Sequence, residues 1–509
     1  MNFTGSILKK AASVPRNPAL VFGGTTYSYR DLAAGVEQYA DLLAWLGVKK
    51  GDRVAVQLPN CAEFVFLHLA TMLLGAITLP LNTGYRWEEI EYFLQDSGSR
   101  LFFVDGDGSG QPVWEMEGNT KIRIIASQGE HANSLTSLLD ESRKNKGAPV
   151  VAGQTRGDDT ALLCYTSGTT GKPKGAMITH RNLLSNTAAL KELWRWSEDD
   201  VLLCVLPMFH IHGLCVALHG ALNASAKIII QEKFDPAGCL LTIEKSKCTM
   251  FMAVPTIYYR LMELWPEQKC DLSSMRLFVS GSAPLSGELF SRFLAATGFR
   301  ILERYGMTET QMIASNPYEE EKRIPQSVGY PLPGIKVRVC TEAGADVKPG
   351  EVGEVLVKGD NVFRGYWQMP EKTKDSFSDG WFKTGDLGYQ DAGDEKRLYL
   401  KGRAKELIIS GGYNVYPKEV EDVLARHESV RESAVFGISD PEFGEKVTAA
   451  VVLKEDSRRS GAATEAVLLS FCKEKLASYK CPKVIIFLDE LPRNAMGKIQ
   501  KHLITNNNN

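Results

Sequence analysis

Amphipathic helical segments alternate with short apolar runs along most of the chain, and this alternation restricts the possible folds more than any other feature. A helical pattern over residues 28–47, SYRDLAAGVEQYADLLAWLG, is followed by short runs such as RVAVQLP, RLFFVDG and LLCVLP. Parallel strands need crossover connections, which are usually helices, so this alternation is typical of βαβ units. The sequence therefore predicts an α/β fold built on a largely parallel, helix-covered sheet.

The pattern of predicted secondary structure changes twice toward the C-terminus. From about Gly329, short alternating runs between Gly and Pro turns predict a small barrel-like β subdomain over about 329–403. Beyond residue 403, the order is a helix (Pro417 to His427), the strands ESAVFGI and KVTAAVVLK, a helix (Thr464 to Leu476) and the strand KVIIFLD. We therefore expect a large N-terminal α/β body of several subdomains, residues 1–403, and a small α+β C-terminal domain, residues 404–509.

Composition and targeting signals favour a cytoplasmic protein. The 59 basic and 61 acidic residues nearly cancel, so neither a nucleic-acid partner nor a basic membrane-binding segment is indicated. Ten cysteines without a CxxC pair fit a reducing compartment and argue against a zinc site. The longest apolar run, Phe64 to Leu81, contains His68 and is broken by Gly75 and Pro80, so we expect a buried helix and strand rather than stable membrane insertion. The N-terminus lacks a signal-peptide core, and no C-terminal Ser-Lys-Leu is present.

The segment YTSGTTGKPKGAMITH, residues 165–180, has the composition of a phosphate-binding loop but is not a Walker loop. In a Walker loop, Gly-Lys is followed by Ser or Thr and a helix begins there. Here Gly171 and Lys172 are followed by Pro173, which has no N–H and disfavours helical geometry before it. Backbone N–H groups, hydroxyls and Lys172 or Lys174 could still surround phosphate oxygens. A glycine-rich turn with a solvated lysine is the alternative.

Three further segments carry chemistry suited to a nucleotide. ERYGMTET, residues 303–310, places a hydroxyl beside a carboxylate, as Mg²⁺-nucleotide binding requires. WFKTGDLG places Asp386 after a glycine turn, where it could accept hydrogen bonds from two ribose hydroxyls, and LPRNAMGKIQK places Lys498 beside a glycine. Each has a structural alternative: capping for Thr308 and Asp386, a surface charge for Glu309 and Lys498.

Together and in this order, the motifs resemble those of the adenylate-forming superfamily of acyl-CoA synthetases, peptide-synthetase adenylation domains and beetle luciferases. GRAKELIISGGYNVYP is similar to the hinge segment of that family, and NAMGK to its C-terminal lysine motif. The resemblance covers nearly the whole chain. It implies an AMP-forming acid–thiol ligase that uses ATP, Mg²⁺ and CoA: a carboxylate attacks the α-phosphorus of ATP, and a thiol then attacks the acyl-adenylate. A non-catalytic nucleotide-binding relative would be expected to lack Lys498 or Glu309, and both are present.

The resemblance also implies a role for each matching residue. The phosphates would be held by Thr166, Ser167, Gly168, Thr169, Thr170, Gly171 and Lys174. The other nucleotide contacts would be Gly281, Ser282, Ala283, Glu303, Arg304, Tyr305, Gly306, Asp386 and Arg403, with Gly281 to Ala283 and Tyr305 against the adenine and Asp386 on the ribose.

Four residues would be catalytic. Thr308 would contact the α-phosphate and Glu309 would hold Mg²⁺, while Lys498 would bridge the carboxylate and the α-phosphate. His210 matches the gate between the acyl pocket and the thiol tunnel. Because Lys498 lies in the C-terminal domain, the resemblance implies that this domain is mobile and turns at Lys405, bringing Gly411 and Gly412 toward CoA.

The identity of the acid rests on fewer residues. No acidic residue occupies positions 206–214, where adenylation domains for amino acids usually carry an aspartate, so an α-amino acid is disfavoured. An arginine in the acyl pocket, Arg260 or Arg304, would suit a second carboxylate, although either could instead pair on the protein surface. LPMFHIHGL, VPTIYYRL and ERYGMTET look most similar to malonyl-CoA synthetases, so we expect malonate or methylmalonate, bound by Arg260, His210, Ser282 and Met307.

Two alternatives remain open at this point. The first is a fatty or aryl acyl-CoA synthetase, whose pocket would be apolar. The second is a stand-alone adenylation enzyme that loads a carrier protein in trans, since little chain follows Lys498. In the preferred interpretation the partners are a small carboxylic acid and CoA, and the protein is a monomer or homodimer.

Overall fold

The computed structural model describes residues 2–106, 113–116, 120–128, 132–145, 155–166, 173–394, 396–410, 413–440, 443–460, 463–494 and 498–506. Within these ranges the α-helices are α1 (Phe3–Ala11), α2 (Tyr29–Trp45), α3 (Ala62–Leu73), α4 (Trp87–Ser97), α5 (Leu135–Lys144), α6 (His180–Leu193), α7 (His219–Ala224), α8 (Pro236–Ser246), α9 (Pro255–Leu264), α10 (Gly287–Thr297), α11 (Pro370–Asp375), α12 (Pro417–Leu424), α13 (Glu455–Ser460), α14 (Glu465–Lys475) and α15 (Lys501–Asn506). A π-helix covers His212–Leu218, and 3₁₀ turns cover Glu320–Lys322 and Ala404–Glu406.

The strands of the described residues are β1 (Pro18–Phe22), β2 (Thr25–Ser28), β3 (Arg53–Gln57), β4 (Ile77–Pro80), β5 (Leu101–Val104), β6 (Val113–Met116), β7 (Thr120–Ala126), β8 (Thr160–Thr166), β9 (Lys174–Thr179), β10 (Val201–Cys204), β11 (Lys227–Ile230), β12 (Met250–Ala253), β13 (Leu277–Ser280), β14 (Leu302–Met307), β15 (Gln311–Ser315), β16 (Ser327–Pro331), β17 (Lys336–Cys340), β18 (Gly353–Lys358), β19 (Gly365–Tyr366), β20 (Phe377–Ser378), β21 (Trp381–Gln390), β22 (Leu398–Arg403), β23 (Ile408–Ser410), β24 (Tyr413–Val415), β25 (Val430–Asp440), β26 (Gly444–Leu453) and β27 (Val484–Phe487).

The first sheet has the order β19-β9-β8-β4-β3-β5-β7-β6, and its central strands β8, β4, β3, β5 and β7 are parallel. Of the residues of α3, which crosses from β3 to β4, only Glu63 is not buried. The apolar run at residues 64–81 is thus a buried helix followed by a strand, as its interruptions predict. No helix among the described residues is long and apolar enough to cross a bilayer.

The second sheet changes from parallel to antiparallel pairing part-way across. Strands β1, β11, β10, β12, β13 and β14 pair in parallel, whereas β14–β15, β15–β16, β16–β22, β22–β21, β21–β18 and β18–β17 pair antiparallel. The change falls at the β14–β15 hairpin, whose turn carries Thr308 and Glu309. The antiparallel part begins earlier than the predicted β subdomain of about residues 329–403, because β14, β15 and the start of β16 precede Gly329.

The third sheet, in which β24, β23, β26 and β25 are antiparallel neighbours and β27 runs parallel to β26, forms the C-terminal unit. Its core contains Val420 and Leu424 of α12, Leu468 of α14 and Val447 of β26. The predicted helix, two strands, helix and strand occur as α12, β25, β26, α14 and β27, and α14 begins after its Thr464 cap. The short helices α13 and α15 and the strands β23 and β24 were not predicted. The structure is therefore the expected α/β body with a smaller α+β unit.

Candidate active site

β8 ends and β9 begins on either side of the predicted phosphate loop. Thr166 and Lys174 are register partners in this antiparallel pair, and residues 167–172, which include Ser167 to Gly171 of the predicted loop, lie outside the described residues. Lys174 begins a strand rather than a helix, as expected after Pro173. Burial lowers the pKa of Lys174, and the charges of Lys372 and Lys405 lower it further.

The β14–β15 turn carries a carboxylate and a hydroxyl, those of Glu309 and Thr308. Glu309 is buried, and its Oε1 accepts a hydrogen bond of 2.9 Å from the Tyr366 hydroxyl. Thr308 is half-buried, and its hydroxyl has no hydrogen-bond partner within the described part of the chain. The capping alternative for Thr308 is therefore not seen, and its hydroxyl is available to a ligand.

Asp386 of β21 and Arg403 of β22 are register partners joined by an ion pair. Arg403 Nε lies 2.8 Å from Asp386 Oδ1, and the Tyr305 hydroxyl donates to Oδ2. Thr384 Oγ1 accepts a hydrogen bond of 3.0 Å from the Asp386 backbone N–H. Burial raises the pKa of Asp386, whereas Arg403 and Tyr305 favour its ionised form. The carboxylate is thus fixed from several sides, with Tyr305 acting through its hydroxyl.

The C-terminal unit brings Lys498 within electrostatic range of Asp386, Glu309 and Arg403. The Lys498 backbone N–H donates to Asn494 Oδ1 at 3.0 Å, and the Asn494 N–H donates back to the Lys498 carbonyl at 2.9 Å. Lys498 as a residue is exposed. The protein that surrounds its amine nevertheless lowers the pKa of that amine by desolvation, and the charge of Arg403 lowers it further. Asp386 and Glu309 act in the opposite direction. Lys498 therefore shares one electrostatic environment with these predicted nucleotide ligands.

Helix α12 of the C-terminal unit contacts the N-terminal body. Gln326 Nε2 donates to Asp422 Oδ2 at 3.0 Å, and the charges of Lys418 and Asp422 act on Glu303. Glu303 Oε1 accepts from the Leu285 N–H at 2.9 Å, while its buried Oε2 has no partner among the described residues. Burial raises the pKa of Glu303 to about 7. Glu303 thus lies beneath the docked C-terminal unit.

A buried arginine without a counter-ion lies next to the turn after β13. Arg304 is 3% exposed, and its Nε and Nη2 have no hydrogen-bond partner in the described part of the chain. A Cβ on Gly281 would lie 2.4 Å from Arg304 Cζ, so the guanidinium packs directly against this glycine. Burial lowers the pKa of Arg304 to about 9, which leaves it protonated at neutral pH. A buried, unpaired cation is costly, so this position favours binding of an anion.

Two histidines and a serine surround this arginine. Ser282, whose backbone has the left-handed φ of 68°, lies 3.2 Å through Oγ from His212 Nδ1. His210 Nδ1 accepts from the His212 backbone N–H at 3.2 Å, which leaves its Nε2 as the protonated nitrogen of a neutral ring. Burial lowers the pKa of His210 well below its ordinary value, helped by Lys498 and Arg304. The charges of Arg304 and Lys498 therefore both act on His210.

The positions of the other predicted site residues give less information about a ligand. Arg260, on α9, is exposed, which gives no support to a contact with a buried acid. Met307 packs against the cluster that includes Phe363 and Tyr366, and Lys405 is exposed in the 3₁₀ turn at residues 404–406. Ala283 and Gly306 are half-buried at the ends of β13 and β14. Gly411 and Gly412 lie outside the described residues.

Sequence reasoning missed Tyr366 and His212 as site residues. Tyr366 belongs to a Gly-Tyr-Trp segment without metal-ligand or nucleophile spacing, and its contact with Glu309 joins residues 57 positions apart. His212 lies in the segment LPMFHIHGL, in which the sequence predicts a role only for His210. Its Nε2 is buried without a partner among the described residues, a feature that only tertiary structure reveals.

Comparison with known proteins identifies the family of this chain. The model of the AMP-binding enzyme family matches residues 7–367, and that of the AMP-binding enzyme C-terminal domain matches residues 419–498. The chain is 34% identical to a long-chain-fatty-acid–CoA ligase of Bacillus subtilis, covering 96% of this chain and 91% of that one. It is 36% identical to a mitochondrial malonate–CoA ligase of Mus musculus, covering 89% and 82%.

A solved structure has the same fold over the full length. ATP-bound MatB from Rhodopseudomonas palustris superposes with a TM-score of 0.89 at 38% identity, covering 100% of this chain and 99% of that one. The family follows from three findings: two matching family models, relatives of 34% and 36% identity, and a solved structure that matches over the full length. The chain belongs to the adenylate-forming AMP-binding enzyme family and is an acid–CoA ligase.

Proposed function

We propose that this ligase activates malonate or methylmalonate with ATP and transfers the acyl group to CoA. The supporting observation is Arg304, a buried guanidinium whose Nε and Nη2 have no partner in the described part of the chain. A carboxylate of the substrate would accept from these two donors. A pocket for a fatty or aryl acid has no need of such a cation, whereas a dicarboxylate supplies its counter-ion.

The surroundings of Arg304 support a bound acid that extends from Arg304 toward Lys498. Its guanidinium packs on Gly281, beside Ser282 and the His212 ring that Ser282 contacts. The charges of both Arg304 and Lys498 act on His210. With one carboxylate on Arg304, the other would point past His210 toward Lys498 and the nucleotide. This assignment moves acid recognition from Arg260, which is exposed, to Arg304.

In the first step, a carboxylate oxygen forms a bond to the α-phosphorus of ATP, and the bond from that phosphorus to the bridging α–β oxygen breaks. Pyrophosphate leaves with the electron pair. Because two anions meet, positioning and neutralisation of charge supply most of the rate. Lys498 and Thr308 would contact the reacting oxygens, Asp386 would hold the ribose, and Lys174 would hold the departing phosphates.

The residues present fit a magnesium ion that arrives with ATP. Mg²⁺ usually takes one or two protein carboxylates, with phosphate oxygens and water completing its octahedron. Glu309 offers such a carboxylate, and no group of three or more His, Cys, Asp or Glu side chains suited to a metal occurs among the described residues. When bound, Mg²⁺ would supply charge neutralisation at the phosphates.

In the second step, the sulfur of CoA forms a bond to the carbonyl carbon of the acyl-adenylate, the bond to the phosphate oxygen breaks, and AMP leaves while the thiol proton passes to solvent. Lys498 belongs to the first step only in this proposal. The C-terminal unit, residues 404–509, would turn at Lys405 between the steps, as the boundary after residue 403 predicts.

A substrate panel tests the proposal. Purified protein with ATP, Mg²⁺ and CoA should release AMP rapidly with malonate or methylmalonate and far more slowly with octanoate or benzoate. Faster turnover of octanoate or benzoate would replace the malonate assignment by a fatty or aryl acid. Adenylate formation with malonate but no transfer to CoA would instead favour a carrier protein as acceptor.

A further inference from the structure

Tyr366 lies where two parts of the nucleotide site meet. The short strand β19 pairs antiparallel with β9, with Tyr366 opposite Ala176 and Gly365 opposite Met177. On either side, the Arg364 N–H donates to the Met177 carbonyl at 2.9 Å, and the Trp367 N–H donates to the Gly175 carbonyl at 2.7 Å. The Tyr366 segment is therefore bound along the strand that begins at Lys174.

The same segment holds Glu309 at two points. The Tyr366 hydroxyl donates to Glu309 Oε1 at 2.9 Å, and the Phe363 backbone N–H donates to the Glu309 carbonyl at 2.7 Å. Both Tyr366 and Glu309 are less than 10% exposed, so their hydrogen bond is shielded from water. A carboxylate held at one oxygen has a fixed plane, and this determines where its other oxygen points.

The face of the Tyr366 ring contacts a cation. Lys174 Nζ lies 5.4 Å from the ring centroid, within the range of a cation–π interaction. The ring itself is held edge-to-face by Phe363, with centroids 4.9 Å apart. One rigid side chain thus touches both the predicted metal-binding carboxylate and the predicted phosphate-binding lysine.

We propose that Tyr366 is a positioning residue for the metal-bound triphosphate: its hydroxyl orients the Glu309 carboxylate toward Mg²⁺, and its ring orients the Lys174 ammonium toward the phosphates. This inference rests on the proposed ATP-dependent reaction but not on which acid is used. The two contacts use different parts of the side chain, so they can be separated. Tyr366→Phe removes the hydroxyl and keeps the ring, whereas Tyr366→Leu removes both.

Binding of a nucleotide analogue tests the proposal without catalysis. The probe is α,β-methylene-ATP, titrated by calorimetry with and without Mg²⁺ and in the absence of any acid. In Tyr366→Phe we expect unchanged affinity without Mg²⁺, and a loss of about tenfold or more in the gain that Mg²⁺ gives to the wild type, as for other residues that orient metal ligands. In Tyr366→Leu the affinity without Mg²⁺ should fall as well.

A matched control separates this role from simple packing. Tyr29 is buried, and its hydroxyl donates to the Ala226 carbonyl at 2.7 Å, so Tyr29→Phe also removes one buried hydroxyl. It should leave the Mg²⁺ effect intact. The proposal is overturned if Tyr366→Phe binds the magnesium complex like the wild type, or if its affinity falls equally with and without Mg²⁺. Neither result depends on malonate, so failure of the acid assignment would be recognised separately in the substrate panel.

Discussion

The charges of two cations, Arg304 and Lys498, act on His210. The two cations have different roles in the proposed reaction. Arg304 is buried in the body and lacks a counter-ion among the described residues, so it suits a permanent part of the acid. Lys498 comes from the C-terminal unit and shares its environment with Asp386 and Glu309, so it suits charge that develops during adenylation. A single acid with two carboxylates would contact both.

The lowered pKa of Lys498 predicts how adenylation depends on pH. Desolvation and the Arg403 charge favour the neutral amine, so the required cation is lost at a lower pH than the ordinary value of 10.5. Pyrophosphate exchange should therefore decline as pH rises through this lowered pKa. Thioester formation from preformed acyl-adenylate should not show this decline, because Lys498 has no part in it.

Arg304 must be distinguished from Lys498 in this measurement, because its pKa is also lowered, to about 9. In Lys498→Arg, whose side chain stays protonated, any residual exchange activity should lose the alkaline decline or show it at higher pH. A decline that persists unchanged in Lys498→Arg would assign it to another group and contradict the role given to the lysine.

Among the secondary-structure elements, α15 is anchored beside the predicted hinge at Lys405. Lys501 Nζ lies 2.9 Å from Glu421 Oε1 on α12 and 3.3 Å from Glu406 Oε2, one residue after Lys405. Burial disfavours the charge of Lys501, but these carboxylates outweigh it and raise the pKa of the amine. Because Lys501 follows Lys498 by three residues, we expect this pair of contacts to hold the Lys498 segment in position relative to Lys405.

Lys501→Met should therefore slow adenylation selectively. We expect a reduction of about tenfold or more in pyrophosphate exchange, because a small displacement of a catalytic group is costly, with thioester formation nearly unchanged. Lys480→Met is the matched control, since Lys480 also makes a close ion pair, 2.6 Å from Glu419 Oε1 in the same unit, but lies on another segment. Equal losses in both half-reactions would mean that Lys501 only stabilises the C-terminal unit.

The elements were predictable where their signals are local. The buried helix and strand at residues 64–81 follow from an apolar run broken by Gly75 and Pro80, and α2 begins at Ser28, whose hydroxyl and backbone form a capping box with Asp31. The hairpin of β8 and β9 agrees with the exclusion of a helix after Pro173. Local sequence carries this information because caps, breakers and hydrophobic period act over a few residues.

The site was predictable only in part, since its contacts are made between distant segments. Asp386, Glu309 and Lys498 are prominent in their motifs, and in the structure the charges of Asp386 and Glu309 act on Lys498. The choice between Arg260 and Arg304 required burial and the close packing of Gly281 on the guanidinium, neither of which is a sequence pattern. Tyr366 meets Glu309 only because β19 pairs with β9, a non-local pairing that the sequence does not indicate.

For the whole molecule, the proposed reaction makes the docking of the C-terminal unit the feature that would determine which half-reaction occurs. In the structure, the charges of Asp386 and Glu309 act on Lys498 while Gln326 of the body contacts Asp422 of α12. Arg304 belongs to the body, where it packs on Gly281. In this proposal, acid selection belongs to the body, and the choice of step belongs to the docking.

The most direct test of this account compares kcat/KM for malonate and propanoate in the wild type, Arg304→Met and the exposed control Arg260→Leu. Loss of a desolvated charge contact should lower kcat/KM for malonate in Arg304→Met by about 30-fold or more, while activity with propanoate is retained and shows that the variant is folded. Arg260→Leu should resemble the wild type with both acids. Undiminished malonate activity in Arg304→Met, or its loss in Arg260→Leu, would contradict the assignment of Arg304 as the residue that selects the acid.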